Sequence, residues 1–184
     1  MRNETKKIVL TSLFIAIGVI LPTVFINQQI AAMFSPMHIP VIISGFLLGW
    51  KYGLLTGMIT PVLRSLIFTM PPLIPIALAM SFELATYGLI AGLLYQFLPI
   101  KQIVGKIYIS LFSAMIIGRL IFGLVMSVYF SMNNNVYTFS AFITTTVITA
   151  IPGIVLQLIL IPALILYLNK VLLPNEEIKN EKKI

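Results

Sequence analysis

The sequence predicts an all-α integral membrane protein: a compact bundle of six transmembrane helices with both termini in the cytoplasm. Three observations carry this expectation. Of 184 residues 59% are hydrophobic and only 9% charged, with a mean hydropathy of +1.06, whereas soluble domains carry about a quarter charged residues. The apolar residues gather into segments too many and too long for one soluble core. The basic residues fall at alternate connections between those segments, which is the asymmetry that sets orientation in a bilayer.

The spans are expected over 8–26, 39–50, 52–68, 73–97, 103–131 and 139–168, forming a membrane domain over 1–174, with a charged cytoplasmic tail over 175–184. No small-residue cleavage site follows the first segment, so it reads as a permanent span rather than a signal peptide. The second and third spans are separated only by "GWKYG", which predicts a tight helical hairpin. "MPPLIP" at 70–75 forces a turn, because proline lacks a backbone donor and disfavours helix in the residue before it. With the N-terminus inside, Arg2, Lys6, Lys7, Lys51, Lys101, Lys106, Lys170, Lys179, Lys182 and Lys183 all face the cytoplasm, and loops 27–38, 69–72 and 132–138 contain no Lys or Arg. The net charge of +7 is thereby assigned to topology and anionic lipid, not to nucleic acid. No internal repeat of the kind that marks many secondary transporters is visible.

Composition narrows the chemistry. With no cysteine and one histidine, His38, thiolate and His-rich metal sites are excluded. No GxxxxGK[ST] loop binds a nucleotide, and no GxSxG motif supplies a nucleophile. The chain is therefore expected not to be an enzyme and to need no cofactor; any work with ATP belongs to a partner.

Three ionisable residues lie at membrane depth: Arg64 in the third span, Glu83 in the fourth and Arg119 in the fifth. Each costs about 2.5–3.5 kcal/mol at a helix centre, so all three should face protein or a polar pocket. Two arginines against one glutamate leave one positive charge unmatched. A carboxylate-bearing solute, held by two parallel guanidinium hydrogen bonds, is the natural partner. Tyr87, four residues after Glu83, shares its helix face, and Gln157 in the sixth span and His38 at the mouth of the second complete the candidate binding residues.

Small residues four apart let helices approach closely. They occur at Gly53/Gly57, Gly88/Gly92 and Ala114/Gly118, and at Ser12/Ala16, whose stripe continues through Thr5 and Val9. Most serve internal packing, while the stripe on the first helix is the best candidate for docking another subunit.

The chain resembles the substrate-binding S components of energy-coupling factor (ECF) vitamin transporters. The likeness rests on "LTSLFIAIGVILP", on the block "MHIPVIISGFLLGWKYGLLTGMITPVLRSLIFTMPPLIPIALAMSFELATYGLIAGLLY" and on "PGIVLQLILIPALI". The block is most similar to the pantothenate branch. The resemblance implies a high-affinity vitamin-binding subunit of the cell membrane, working with a membrane coupling subunit and two ATPase subunits. It makes loop 27–38 a gate and matches Ser12 and Ala16 to the family's Ala-xxx-Ala docking motif, with serine in place of the first alanine. Folate, riboflavin or a related vitamin is the alternative substrate. A self-sufficient secondary transporter of a small organic anion, with Glu83 carrying protons, and a non-transporting membrane scaffold are the alternative classes.

Overall fold

The computed structural model describes residues 2–25 and 27–172. The expected tail, 175–184, and its lysines lie outside the described residues. Every described element is helical, with no strand among them.

Helix α1 (Arg2–Ile20) tightens into a 3₁₀ turn, Leu21–Val24, where Pro22 removes a backbone donor. The connection that follows contains a short helix that hydropathy did not reveal, α2 (Gln28–Phe34), with Phe34 stacked on Phe25 at 5.7 Å. Helix α3 (His38–Leu48) stops at Gly49, whose φ of 98° and ψ of 168° lie in a region open only to glycine. Helix α4 (Trp50–Phe68) starts at the next residue, so the expected "GWKYG" turn contracts to Gly49 alone. Beyond the prolines, Leu73–Ala77 form a π-type turn with Ile74 extended, leading into α5 (Leu78–Phe97).

Helix α6 (Ile103–Met132) is the longest, at 30 residues or about 45 Å. The last expected span, 139–168, is broken in two. Helix α7 (Phe139–Ile143) and a π turn, Thr144–Ile148, precede α8 (Ile151–Leu172). The threonine hydroxyls at 144, 145, 146 and 149 bond nearby carbonyls and compete with regular helix. Pro152 then suits the first turn of a new helix.

Among the described residues five segments are long and apolar enough to cross a membrane: Glu4–Val24, Ile30–Leu48, Leu73–Phe97, Ile103–Met132 and Ile151–Leu168. Helix α4 is not among them. Its 19 residues reach about 28 Å, but Lys51, Thr56, Thr60, Arg64 and Ser65 dilute its hydropathy. It packs against α1, α3 and α5 instead.

Helix α3 is central, with ten of its eleven residues buried. Its Ile39, Ile42 and Phe46 meet α5, α6 and α8 in one apolar core. Glycines bring α3, α4 and α5 to backbone contact: a Cβ on Gly88 would fall 2.2 Å from the Gly53 oxygen, and one on Gly57 2.2 Å from that of Leu84. The small-residue pairs at 53/57 and 88/92 are thus internal. The ends of the bundle differ in charge. At one end Glu4 accepts a hydrogen bond from Tyr52, and Lys7, Lys51 and Lys106 lie over the rings of Tyr52, Trp50 and Tyr95. The opposite, distal end holds α2, α7 and the start of α3.

Candidate functional site

Three helices deliver polar side chains to one carboxylate oxygen. Helix α5 carries Glu83 and, one turn on, Tyr87, whose hydroxyl donates to Glu83 Oε1 at 3.1 Å. Helix α6 brings Arg119 Nη1 to within 3.3 Å of the same oxygen, and the first residue of α3, His38, sets Nε2 3.8 Å away. Glu83 and His38 are each only 2% exposed, and Tyr87 is fully buried. The His38 and Tyr87 rings meet at 5.2 Å. Gly118 makes this convergence possible. A Cβ there would lie 2.0 Å from the Tyr87 ring, so only glycine lets that ring rest on α6 beside Arg119.

The cluster is incompletely satisfied. Among the described residues, Arg119 Nε and Nη2 and both ring nitrogens of His38 are buried without hydrogen-bond partners, as are both amide atoms of Gln157 and Ser110 Oγ elsewhere in the bundle. Nε and Nη2 form one edge of the guanidinium, the pair that grips a carboxylate through parallel hydrogen bonds. Arg119 therefore spends Nη1 on Glu83 and keeps a bidentate face unused. Gln157 is fully buried. It lies between Ile161, a member of the core, and the half-buried Ile154 packed against it, and so faces the bundle interior.

Ser110, which sequence reasoning did not single out, shares an α6 stripe with Ala114 and Gly118, four residues apart, and lies nine residues, about 13 Å, along the helix from Arg119 toward the basic end. A cleft of about 250 Å³ adjoins the next stripe, lined by Leu120, Gly123, Ser127, Tyr137, Phe139 and Phe142. Gly123 and Ser127 stand one and two turns distal to Arg119 on its own face of α6.

Arg64 is held elsewhere. Its Nη1 donates to the Val19 carbonyl at 2.6 Å, and its guanidinium lies 5.3 Å from the Phe68 ring centre. The Gly57–Leu84 and Gly53–Gly88 contacts set α4 antiparallel to α5. Arg64 is then level with Ala77, about 9 Å along α5 from Glu83 toward the distal end. The Val19 carbonyl lies in the last turn of α1, at the negative end of the helix dipole, which suits a guanidinium. The three charges thus divide into a Glu83–Arg119 pair and an Arg64 that closes the end of α1.

Ser12 and Ala16 are exposed on α1 among Ile8, Val9, Leu13 and Ile17, which are exposed as well. The Ser12 hydroxyl turns back to the Ile8 carbonyl at 3.1 Å, leaving a small, flat surface.

Architecture and site together define a polytopic helical membrane protein with a secluded polar cluster in its bundle. The family model described as ECF transporter, substrate-specific component, matches residues 6–165, and the chain belongs to that family. Its members are substrate-binding subunits of importers rather than enzymes, and work with the membrane and ATPase subunits of an ECF module. The matched range includes every candidate site residue named above. Comparison with curated proteins and with solved structures gives no match.

Proposed function

We propose that this subunit binds a carboxylate-bearing vitamin, pantothenate being the best candidate, and hands it to an ECF module for import. The observation that carries the reading is the unused Nε and Nη2 edge of Arg119, buried beside a carboxylate that occupies only Nη1. A carboxylate on that edge would satisfy both donors at once. Gln157 and His38 would read the vitamin's amide and hydroxyl groups, and Tyr87 and Glu83 would hold Arg119 in place. The cleft beside Gly123 and Ser127 supports approach from the distal end. Its volume is just under the usual range for ligand sites, about 300–1,000 Å³. Arg64, nearer the mouth, would draw anions in, and loop 27–38 would serve as the gate.

The same reading extends to the topology. Helix α4, the expected third span, crosses the bilayer with the five more apolar segments to make six, and the basic end of the bundle, with both termini, faces the cytoplasm of a cell-membrane protein. Ser12 and Ala16 form the docking surface for the coupling subunit.

Equilibrium binding to the purified protein without ATP tests the substrate. Tight one-to-one binding of pantothenate over riboflavin supports the assignment. Preference for folate moves it within the anionic vitamins, and preference for riboflavin removes the carboxylate.

A further inference from the structure

The carboxylate site described above has a charge balance of its own. Arg119 already offsets Glu83, so with a neutral His38 the empty cluster carries no net charge. A carboxylate seated on the Nε and Nη2 edge adds a second negative charge where water is scarce. A buried charge without a counter-charge is strongly unfavourable. The missing positive charge has one evident source. His38 is 2% exposed, neither ring nitrogen has a hydrogen-bond partner among the described residues, and Nε2 already stands 3.8 Å from Glu83 Oε1.

The other groups around His38 do not compete for this role. Helix α5 presents Glu83 and Tyr87 to it, and α6 presents Arg119 through the shared Glu83 oxygen. Helix α8, packed on α3, offers the uncharged Gln157. Helices α1 and α4 bring Glu4, Lys7 and Tyr52 to the opposite end, and Arg64 is committed to Val19.

We infer that His38 is a specificity-determining residue: the site takes its carboxylate together with one proton, which comes to rest on the His38 imidazole. The inference depends on the carboxylate reading of Proposed function. The proton moves from solvent to a ring nitrogen as the anion enters, the His38–Glu83 contact becomes an ion pair, and the filled cluster is neutral again. An alcohol or amide analogue of the same vitamin brings no charge and needs no proton.

Calorimetric titration of the intact, detergent-purified protein reads this directly. Pantothenate and its alcohol analogue pantothenol serve as probes, with folate as a second carboxylate, in two buffers of different ionisation enthalpy between about pH 5.5 and 7.5. The carboxylates are ionised across this range, so any proton taken up goes to the protein. The expected result is up to one proton taken up per carboxylate probe and none with pantothenol. The carboxylate affinity weakens by up to about tenfold per pH unit on the alkaline side. His38→Gln binds the carboxylate more weakly than the wild type at acid pH, with a flat pH profile and no buffer-dependent heat. The wild-type buffer dependence stands as evidence even if that variant folds poorly. Carboxylate binding with no proton uptake and no pH dependence overturns the inference and leaves the carboxylate reading intact. Binding of pantothenol or riboflavin, with neither carboxylate bound, overturns both.

Discussion

Arg119→Lys separates the charge of Arg119 from its shape. Lysine keeps a positive charge for Glu83, which Arg119 now contacts at 3.3 Å, but it cannot also present two parallel donors along a second edge. The buried Nε and Nη2 groups are what the substitution removes. Hydrogen bonds to charged groups contribute about 1.5–3 kcal/mol, so pantothenate affinity should fall roughly 10- to 150-fold. Arg119→Ala is the less informative variant. It strands a carboxylate that is 2% exposed, and breaking a buried pair from one side costs about 3–5 kcal/mol, enough to confuse loss of fold with loss of site. Isothermal titration on the lysine variant, with the melting temperature followed by circular dichroism, keeps the two apart. An unchanged affinity in a normally folded Arg119→Lys protein refutes the bidentate site.

Three further variants probe other parts of the account. Gly118→Ala drives a methyl into the Tyr87 ring, which should cost about 1–3 kcal/mol by overpacking and weaken ligand binding; melting and titration curves report both. Ser12→Trp combined with Ala16→Trp should leave vitamin binding to the isolated subunit unchanged while abolishing co-purification with the coupling module. Arg64→Met removes a charge-assisted bond to the end of α1 and should lower stability by about 1.5–3 kcal/mol, with less than about a tenfold change in affinity, since Arg64 lies distal to the Glu83 cluster.

Hydropathy and charge distribution made much of this molecule legible. The helical membrane class, the hairpin at Gly49, the break at "MPPLIP" and the internal role of the glycine pairs all follow from properties each residue carries by itself. Glu83 with Tyr87 was legible because residues four apart share a helix face. The meeting of Glu83 with Arg119 and His38 depends on helix rotation. That is set by Gly118 and the α3–α5 glycine contacts, which no single segment encodes. The separate place of Arg64 was hidden for the same reason, since its partner is a carbonyl at the end of α1, and backbone carbonyls leave no mark in composition. Helix α2 and the interruption near Thr149 escaped because apolar content reports burial in lipid, whereas those features arise from local turns and hydroxyl competition.

Native mass spectrometry of gently purified protein addresses the central claim most directly. The account predicts one small carboxylic acid retained by the wild-type subunit, with the mass of pantothenate as the leading expectation, and its loss from Arg119→Lys. A retained ligand with no carboxyl group, or equal retention by the variant, would contradict it.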